Sequence, residues 1–280
     1  MPTRPLRVTL VQNNAGGNLA ANVDRVDALL KPSPATDLIV LPEVFAFRGS
    51  DAEYRHIADP IPGHLTGRLA LLAERHQAWL LAGSIIERNL KQVFNTSVLF
   101  NPHGHVMAIY RKIHLFEAAL EDGRVIRECD IYEHGNTPMT HTIAGWICAF
   151  SICYDLRFPE LYRHYAAHGA HLMLVPSNFT QRTGKDHWEI LIRARAIENQ
   201  CFVVAPDQCG ANPVTGVVSY GHSMAVGPWG EVLAIAGDEE TVLHVTLDPA
   251  SMAATRTRVP ALRHRRMWMP DTVRETPPPA

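Results

Sequence analysis

The sequence predicts an α/β fold of layered sheets and helices, and three observations carry that expectation. Apolar runs of strand length alternate with stretches whose apolar residues recur at helical spacing. Two halves, residues 6–110 and 143–247, each run strand, helix, strand, helix, strand before pairing. No period of about 20–50 residues recurs, which excludes a solenoid. One domain with two sheets is the economical reading, spanning residues 1–270, with 271–280 a proline-rich tail outside the fold.

Leu6–Gln12 reads as the first strand. Behind an Asn18 cap, Leu19, Val23, Val26, Leu29 and Leu30 make the apolar stripe of a helix that Lys31-Pro-Ser-Pro34 breaks. Asp37–Pro42 is the next strand and delivers Glu43 just past its end, where Pro42 favours termination. Leu65–Ala78 is a second amphipathic helix and Trp79–Ile86 a third strand. Phe94–Phe100 and Val106–Tyr110 form a hairpin, and Arg111-Lys112-Ile113-His114-Leu115-Phe116 follows at once. Glu117–His141 has little periodicity, and a structureless loop of that length in a compact domain tends to be functional.

The stretch Ile147–Glu160 is the centre of the chain. A buried strand, Ile147–Ile152, stops at Cys153, and Phe158–His168 continues at helical spacing. A side chain at such a corner projects from the carboxyl edge of a sheet, beside backbone N–H groups. Unpaired cysteines are usually inert core residues, so position alone leaves Cys153 open. Beyond it, His171–Pro176 is a strand. Asp186–Gln200 is a long helix with Trp188, Ile190, Leu191, Ala194 and Ile197 on its buried side, and Cys201–Pro206 follows as a strand. Ser223–Val226, Glu231–Ala236 and Thr241–Leu247 read as a meander turning at Pro228-Trp229-Gly230.

The bulk numbers narrow the function. With 280 residues, 46% hydrophobic, 19% charged and a formal net charge of −2, no strong field draws the chain toward nucleic acid or an anionic membrane. The basic cluster His264-Arg265-Arg266 is expected at the end of a helix as a solvated face. No apolar signal core or membrane-length window is present, and the five cysteines, 129, 148, 153, 201 and 209, show no CxxC spacing. A cytoplasmic protein with reduced thiols is expected.

Glu43, Lys112 and Cys153 all fall at strand ends, where ligands gather in α/β sheets. A thiol is only a few per cent ionised at neutral pH, so a catalytic cysteine needs a proton acceptor or a cation that holds its thiolate. Glu43 can do the first and Lys112 the second. Lys112 and the backbone N–H of Tyr154 would also stabilise an oxyanion. His114 offers a rival Cys–His arrangement. His164, His168 and His171 lack the glutamate of a zinc helix, so no metal site is expected. Arg157 could bind a substrate carboxylate or pair with Asp155 or Glu160. Arg193, Arg195 and Glu198 are expected to pair structurally.

Four motifs carry a resemblance: Leu41-Pro42-Glu43; Tyr110 through Phe116; Cys153-Tyr154-Asp155-Leu156-Arg157-Phe158-Pro159-Glu160; and His187-Trp188 through Asn199. In this order they resemble the nitrilase superfamily of carbon–nitrogen hydrolases, over about Leu6 to Arg266. The resemblance implies a four-layer αββα sandwich that pairs into a homodimer. It implies Glu43 as general base, Lys112 as oxyanion stabiliser and Cys153 as nucleophile, with no metal or organic cofactor. The Nit-type amidases, which act on ω-amides of 2-oxo acids such as deaminated glutathione or 2-oxoglutaramate, are the most similar branch. A small amide is therefore the expected partner, hydrolysed through a thioester with release of ammonia. A nitrile or N-carbamoyl amine is the alternative substrate, and a catalytically silent scaffold the alternative class. The family's second active-site glutamate has four candidates, Glu117, Glu121, Glu128 and Glu133, of which spacing from Lys112 favours Glu128. The segment Pro176–Asp186 is expected to face substrate through Asn178 and Phe179. Asn178 stands where Nit-type relatives often have alanine, and Arg182 and Lys185 add charge.

Overall fold

Leu38, Ile39 and Val40 are consecutive and fully buried, yet their side chains enter two different cores. Strand side chains alternate between faces, so one short strand can glue a sheet to a second sheet on one side and to helices on the other. The computed structural model describes residues 1–31, 33–119, 123 and 125–266. The proline-rich tail and Glu121 lie outside the described residues.

The first half runs β1 (Leu6–Gln12), α1 (Leu19–Leu30), β2 (Leu38–Val40), α2 (Asp51–Ile57), α3 (His64–His76), β3 (Trp79–Leu81), β4 (Ile85–Asn89), β5 (Gln92–Phe100) and β6 (Val106–Arg111). After it come β7 (Glu117–Ala119), β8 (Val125–Arg127), β9 (Thr140–Ile143), β10 (Trp146–Phe150), α4 (Pro159–Ala167), β11 (Leu172–Leu174), α5 (Gln181–Asn199) and β12 (Phe202–Ala205). The chain then forms β13 (Cys209–Ala211), β14 (Val218–Tyr220), β15 (Met224–Val226), β16 (Val232–Ile235), β17 (Thr241–Leu247) and α6 (Pro249–Arg258).

One sheet has the order β17-β1-β2-β3-β5-β4 with β6 against β5, and the other β16-β15-β12-β11-β10-β9. The central strands β1, β2 and β3, and likewise β10, β11 and β12, are parallel. Leu6, Val8, Leu10, Leu38 and Val40 pack toward Phe150, Leu172 and Val204 of the second sheet. Val11, Ile39 and Leu80 turn the other way, onto Val23 and Val26 of α1 and Leu69 and Leu72 of α3. Trp188 and Ile192 of α5 close the second sheet's outer face. The result is the four-layer αββα sandwich.

Several elements depart from the expectations. Trp79–Ile86 is not one strand: Gly83, at φ +33°, breaks it where a Cβ would overlap the Pro42 carbonyl oxygen. The stretch 117–141 is not structureless, since β7 and β8 pair and a 3₁₀ turn follows at Glu128–Asp130. Thr241–Leu247 does not continue a meander but crosses to the first sheet, pairing antiparallel with β1 from Leu6↔Leu247 to Gln12↔Thr241. The helix α6 ends at Arg258, so His264-Arg265-Arg266 lies beyond it. On α5 the buried residues are Gly184, Trp188, Ile192, Arg195, Ala196 and Asn199, whereas Ile190 and Ile197 are exposed. The helix starts at Gln181 rather than Asp186, and the added turn carries Gly184 against Tyr220. Asn18 does cap α1, accepting from the Ala21 N–H.

Candidate active site

Two of the three strand ends, those at Cys153 and Glu43, meet on one segment, Pro176–Phe179, just past β11. The Cys153 N–H donates to the Pro176 carbonyl at 2.8 Å, and the Glu43 N–H to the Ser177 carbonyl at 3.3 Å. Lys112 arrives from the hairpin, its N–H bonded to the Asn95 carbonyl at 2.9 Å. Parallel strands end side by side, so residues remote in sequence meet at one edge.

Cys153 opens a 3₁₀ turn, Cys153–Arg157, before α4, with φ +46°. A non-glycine residue in the left-handed region is strained, and such strain gathers at functional sites. Two anchors hold this corner. Asp155 accepts from the Ile152 N–H at 2.9 Å and from the Tyr110 hydroxyl at 2.7 Å. Arg195, buried on α5, donates twice to the Leu156 carbonyl, at 3.1 and 2.8 Å, besides its pair with Glu198 at 2.9 Å.

Lys112 Nζ, with 1% of its side chain exposed, lies 2.8 Å from Glu43 Oε1 and 2.8 Å from Glu128 Oε2. Asn95 Nδ2 also donates to Glu43 Oε1, at 2.8 Å. The Cys153 thiol is within electrostatic reach of the Glu43 carboxylate, the Lys112 ammonium and the Asn178 backbone N–H. Burial and the Glu43 charge raise the thiol well above its ordinary value, against the pull of Lys112 and the Asn178 N–H. Burial would lower the Lys112 ammonium, but the Glu128 and Glu43 carboxylates outweigh it and hold the ammonium well above its usual range. Burial raises Glu128, an effect that Lys112 opposes and Glu43 reinforces. The resting site is a neutral thiol beside a carboxylate clamped to a permanent cation. It can move a proton from sulfur to Glu43 and keep a positive charge where an oxyanion would form.

A cavity of about 320 Å³ opens above these groups. All eight residues singled out from the sequence line it: Glu43, Lys112, Glu128, Cys153, Tyr154, Arg157, Asn178 and Phe179. Of the other glutamates, Glu117 pairs with Arg127 at 3.1 Å on the surface and Glu133 is exposed. His114 turns to Asp155, with Nδ1 at 2.7 Å, and stacks on Phe158. Among the described residues Arg157 makes no ion pair with Asp155 or Glu160; it lies 5.6 Å from the Phe179 ring centre and 3.3 Å from His187 Nδ1. His168 Nδ1 bonds the His164 carbonyl and His171 Nδ1 accepts from the Ile147 N–H. Among the described residues no His, Cys, Asp and Glu side chains gather as a metal site.

Sequence reasoning missed Asn95, Arg48 and Ser219. Asn95 had a signal: Asn95-Thr96-Ser97 puts three polar residues in a row inside a strand, and all three are buried. Ser219 opens the stretch Ser219-Tyr220-Gly221-His222-Ser223, which resembles the deaminated-glutathione amidases, but its contacts with Arg48 and Asn178 depend on loops that meet only in the fold, and Arg48 had no signal.

The carbon-nitrogen hydrolase family model matches residues 7–257. A deaminated glutathione amidase of Synechocystis sp. is 35% identical, over 94% of this chain and 98% of its own. Human omega-amidase NIT2 is 33% identical, over 93% and 95%. The crystal structure of Saccharomyces cerevisiae Nit3, a member of branch 10 of the nitrilase superfamily, superposes with a TM-score of 0.85 at 32% identity, covering 95% of this chain and 98% of that one. The motifs, the sandwich and the match along nearly the whole chain agree, and this protein belongs to the carbon-nitrogen hydrolase family.

Proposed function

We propose that the protein is an amidase that hydrolyses the ω-amide of a small 2-oxo acid through a Cys153 thioester. The observation that supports this reading above others is the buried contact of Lys112 Nζ with Glu43 Oε1 at 2.8 Å, on the wall of the cavity that Cys153 also lines. Glu43 takes the thiol proton as sulfur attacks the amide carbon. The resulting oxyanion is held by Lys112 and the Tyr154 N–H. Glu43 returns the proton to the leaving nitrogen, the C–N bond breaks and ammonia departs. Water then enters, Glu43 takes its proton, and the oxygen attacks the thioester carbon. Collapse breaks the C–S bond, frees the acid and returns the proton to sulfur. Glu128 keeps Lys112 charged and aimed throughout.

Side chains supply base, nucleophile and cation, so the scheme requires no metal or organic cofactor, and a chelator should leave the rate unchanged. The substrate class is taken from relatives called deaminated glutathione amidase and omega-amidase. A cytoplasmic homodimer belongs to the same reading. Ile190, Ile197 and Trp229 are exposed apolar side chains that a second copy could cover. Among the described residues no helix is long and apolar enough to cross a membrane.

The test is ammonia release across a panel of ω-amides, nitriles and N-carbamoyl amines, with mass spectrometry of the trapped acyl-enzyme. Amide turnover with an adduct on Cys153 is expected. Carbon dioxide release would assign a carbamoyl substrate instead, and unchanged amidase activity in Cys153→Ala would refute the nucleophile.

A further inference from the structure

We propose that Asn178 selects the acyl group: its amide N–H donors, locked toward the cavity by a relay from Arg48 through Ser219, recognise a carboxylate on the acyl chain. This rests on the amidase reading and adds the part of the substrate that lies away from the scissile bond.

The relay has a forced direction. Arg48 is 1% exposed, and a guanidinium can only donate. Its Nε donates to the Ala15 carbonyl at 2.9 Å and its Nη2 to the Cys209 carbonyl at 3.0 Å and to Asn14 Oδ1, so the group cannot turn. Its Nη1 donates to Ser219 Oγ at 2.6 Å. Ser219 therefore accepts from Arg48 and passes its own proton on, to Asn178 Oδ1 at 2.6 Å. With its oxygen committed to Ser219, Asn178 is left with its NH₂ group for the cavity it lines, and among the described residues that nitrogen has no protein partner. A half-buried donor pair held in one orientation discriminates strongly, because a ligand without an acceptor leaves it unpaired.

The charges nearby point to an anionic acceptor. Arg48 bonds carbonyls, a hydroxyl and an amide but no carboxylate among the described residues, so its charge is not cancelled by contact. Arg157, on the same cavity wall beside Phe179, is likewise without a carboxylate among the described residues. Lys112, by contrast, is already in contact with two carboxylates, Glu43 and Glu128.

The experiment measures kcat/KM for succinamate and butyramide, which differ by a carboxylate against a methyl group, in the parent protein, Asn178→Ala, Asn178→Asp and Ser219→Ala. The succinamate-to-butyramide ratio is expected to fall about ten- to a hundredfold in Asn178→Ala, the range of a hydrogen bond to a charged group. Asn178→Asp keeps the Ser219 contact but turns the donor into an acceptor, so its ratio should fall further. Ser219→Ala frees the amide to flip and should fall between parent and Asn178→Ala. A ratio unchanged within about twofold in Asn178→Ala, or equal in Asn178→Asp and the parent, overturns the proposal. If the parent turns over neither amide, the amidase reading stands or falls on the ω-amide panel, and the relay is judged separately by calorimetry of succinate and butyrate on Cys153→Ala. There, succinate binding that is absent, or that survives Asn178→Ala undiminished, overturns it, while loss confined to succinate supports it.

Discussion

Asp155 and His114 are joined twice: one carboxylate oxygen of Asp155 accepts the His114 backbone N–H at 3.0 Å and its Nδ1–H at 2.7 Å. The other oxygen takes the Tyr110 hydroxyl and the Ile152 N–H. One fully buried carboxylate thus ties the residue two past Lys112 to the residue before Cys153. Asp155→Asn would set an NH₂ group against donors that need an acceptor. A loss of about 2–4 kcal/mol in urea unfolding is expected, with turnover at least tenfold lower. Full stability in that variant would show that the two segments are held by packing alone.

Lys112→Met removes the charge meant for the oxyanion and leaves Glu43 and Glu128 facing each other without their shared counter-charge. Turnover of the best amide should fall by about a thousandfold. Retention of more than a tenth of the parent kcat would remove Lys112 from the chemistry.

Glu43→Gln cannot take the thiol proton. Losing the Glu43 charge removes one of the causes that raise the Cys153 thiol, but burial, the largest, remains, so the sulfur still attacks as a thiol that needs a base. Iodoacetamide labelling of Cys153, followed by peptide mass spectrometry, should slow about a hundredfold at neutral pH. The exposed Cys129 serves as an internal control whose labelling rate stays constant.

His171 gives a pH dependence with a definite sign. Burial first, then Arg256, pushes its imidazole down from 6.5 to about 4, and its Nδ1 accepts from the Ile147 N–H at 3.0 Å. Folding favours the neutral ring, so this contribution is complete above about pH 6.5 and lost as pH falls toward 4. After allowance for solvent screening it amounts to about 1–2 kcal/mol. Urea unfolding of His171→Gln should lack that share of the acid loss, and identical pH slopes would contradict the assignment.

Gly184 lies on α5 where an added Cβ would overlap Cβ and Cγ of Tyr220 on β14. Those atoms sit next to the backbone and cannot swing away. Gly184→Ala should destabilise by about 1–3 kcal/mol. Because β14 also carries Ser219, the Asn178 contact should loosen and KM rise. A thermal melt coincident with the parent's would mean that the two elements separate without cost.

Much of this fold is legible in the sequence because it depends on local periodicity. The apolar run Leu38-Ile39-Val40, the stripe from Leu19 to Leu30 and the cap at Asn18 need only neighbours a few residues away. Helix α5 shows the limit: of the apolar stripe Trp188, Ile190, Leu191, Ala194 and Ile197 that reads as core, Trp188 is fully buried while Ile190 and Ile197 are exposed, and Ile192 is buried instead. Periodicity locates an apolar residue on a helix, not which neighbour that helix meets.

For the site, the sequence by itself determined the chemical types and their places at strand ends: a carboxylate at 43, an ammonium at 112 and a thiol at 153. Only the tertiary structure decided that they share one cavity and which loop glutamate joins them. It also decided that β17 returns to the first sheet, and that Arg48 reaches Asn178 through Ser219 across 171 and 41 residues of chain. The physical reason is range. Strand and helix patterns follow from the pitch of the backbone, whereas a hydrogen bond between distant residues exists only once the whole sandwich has closed around it.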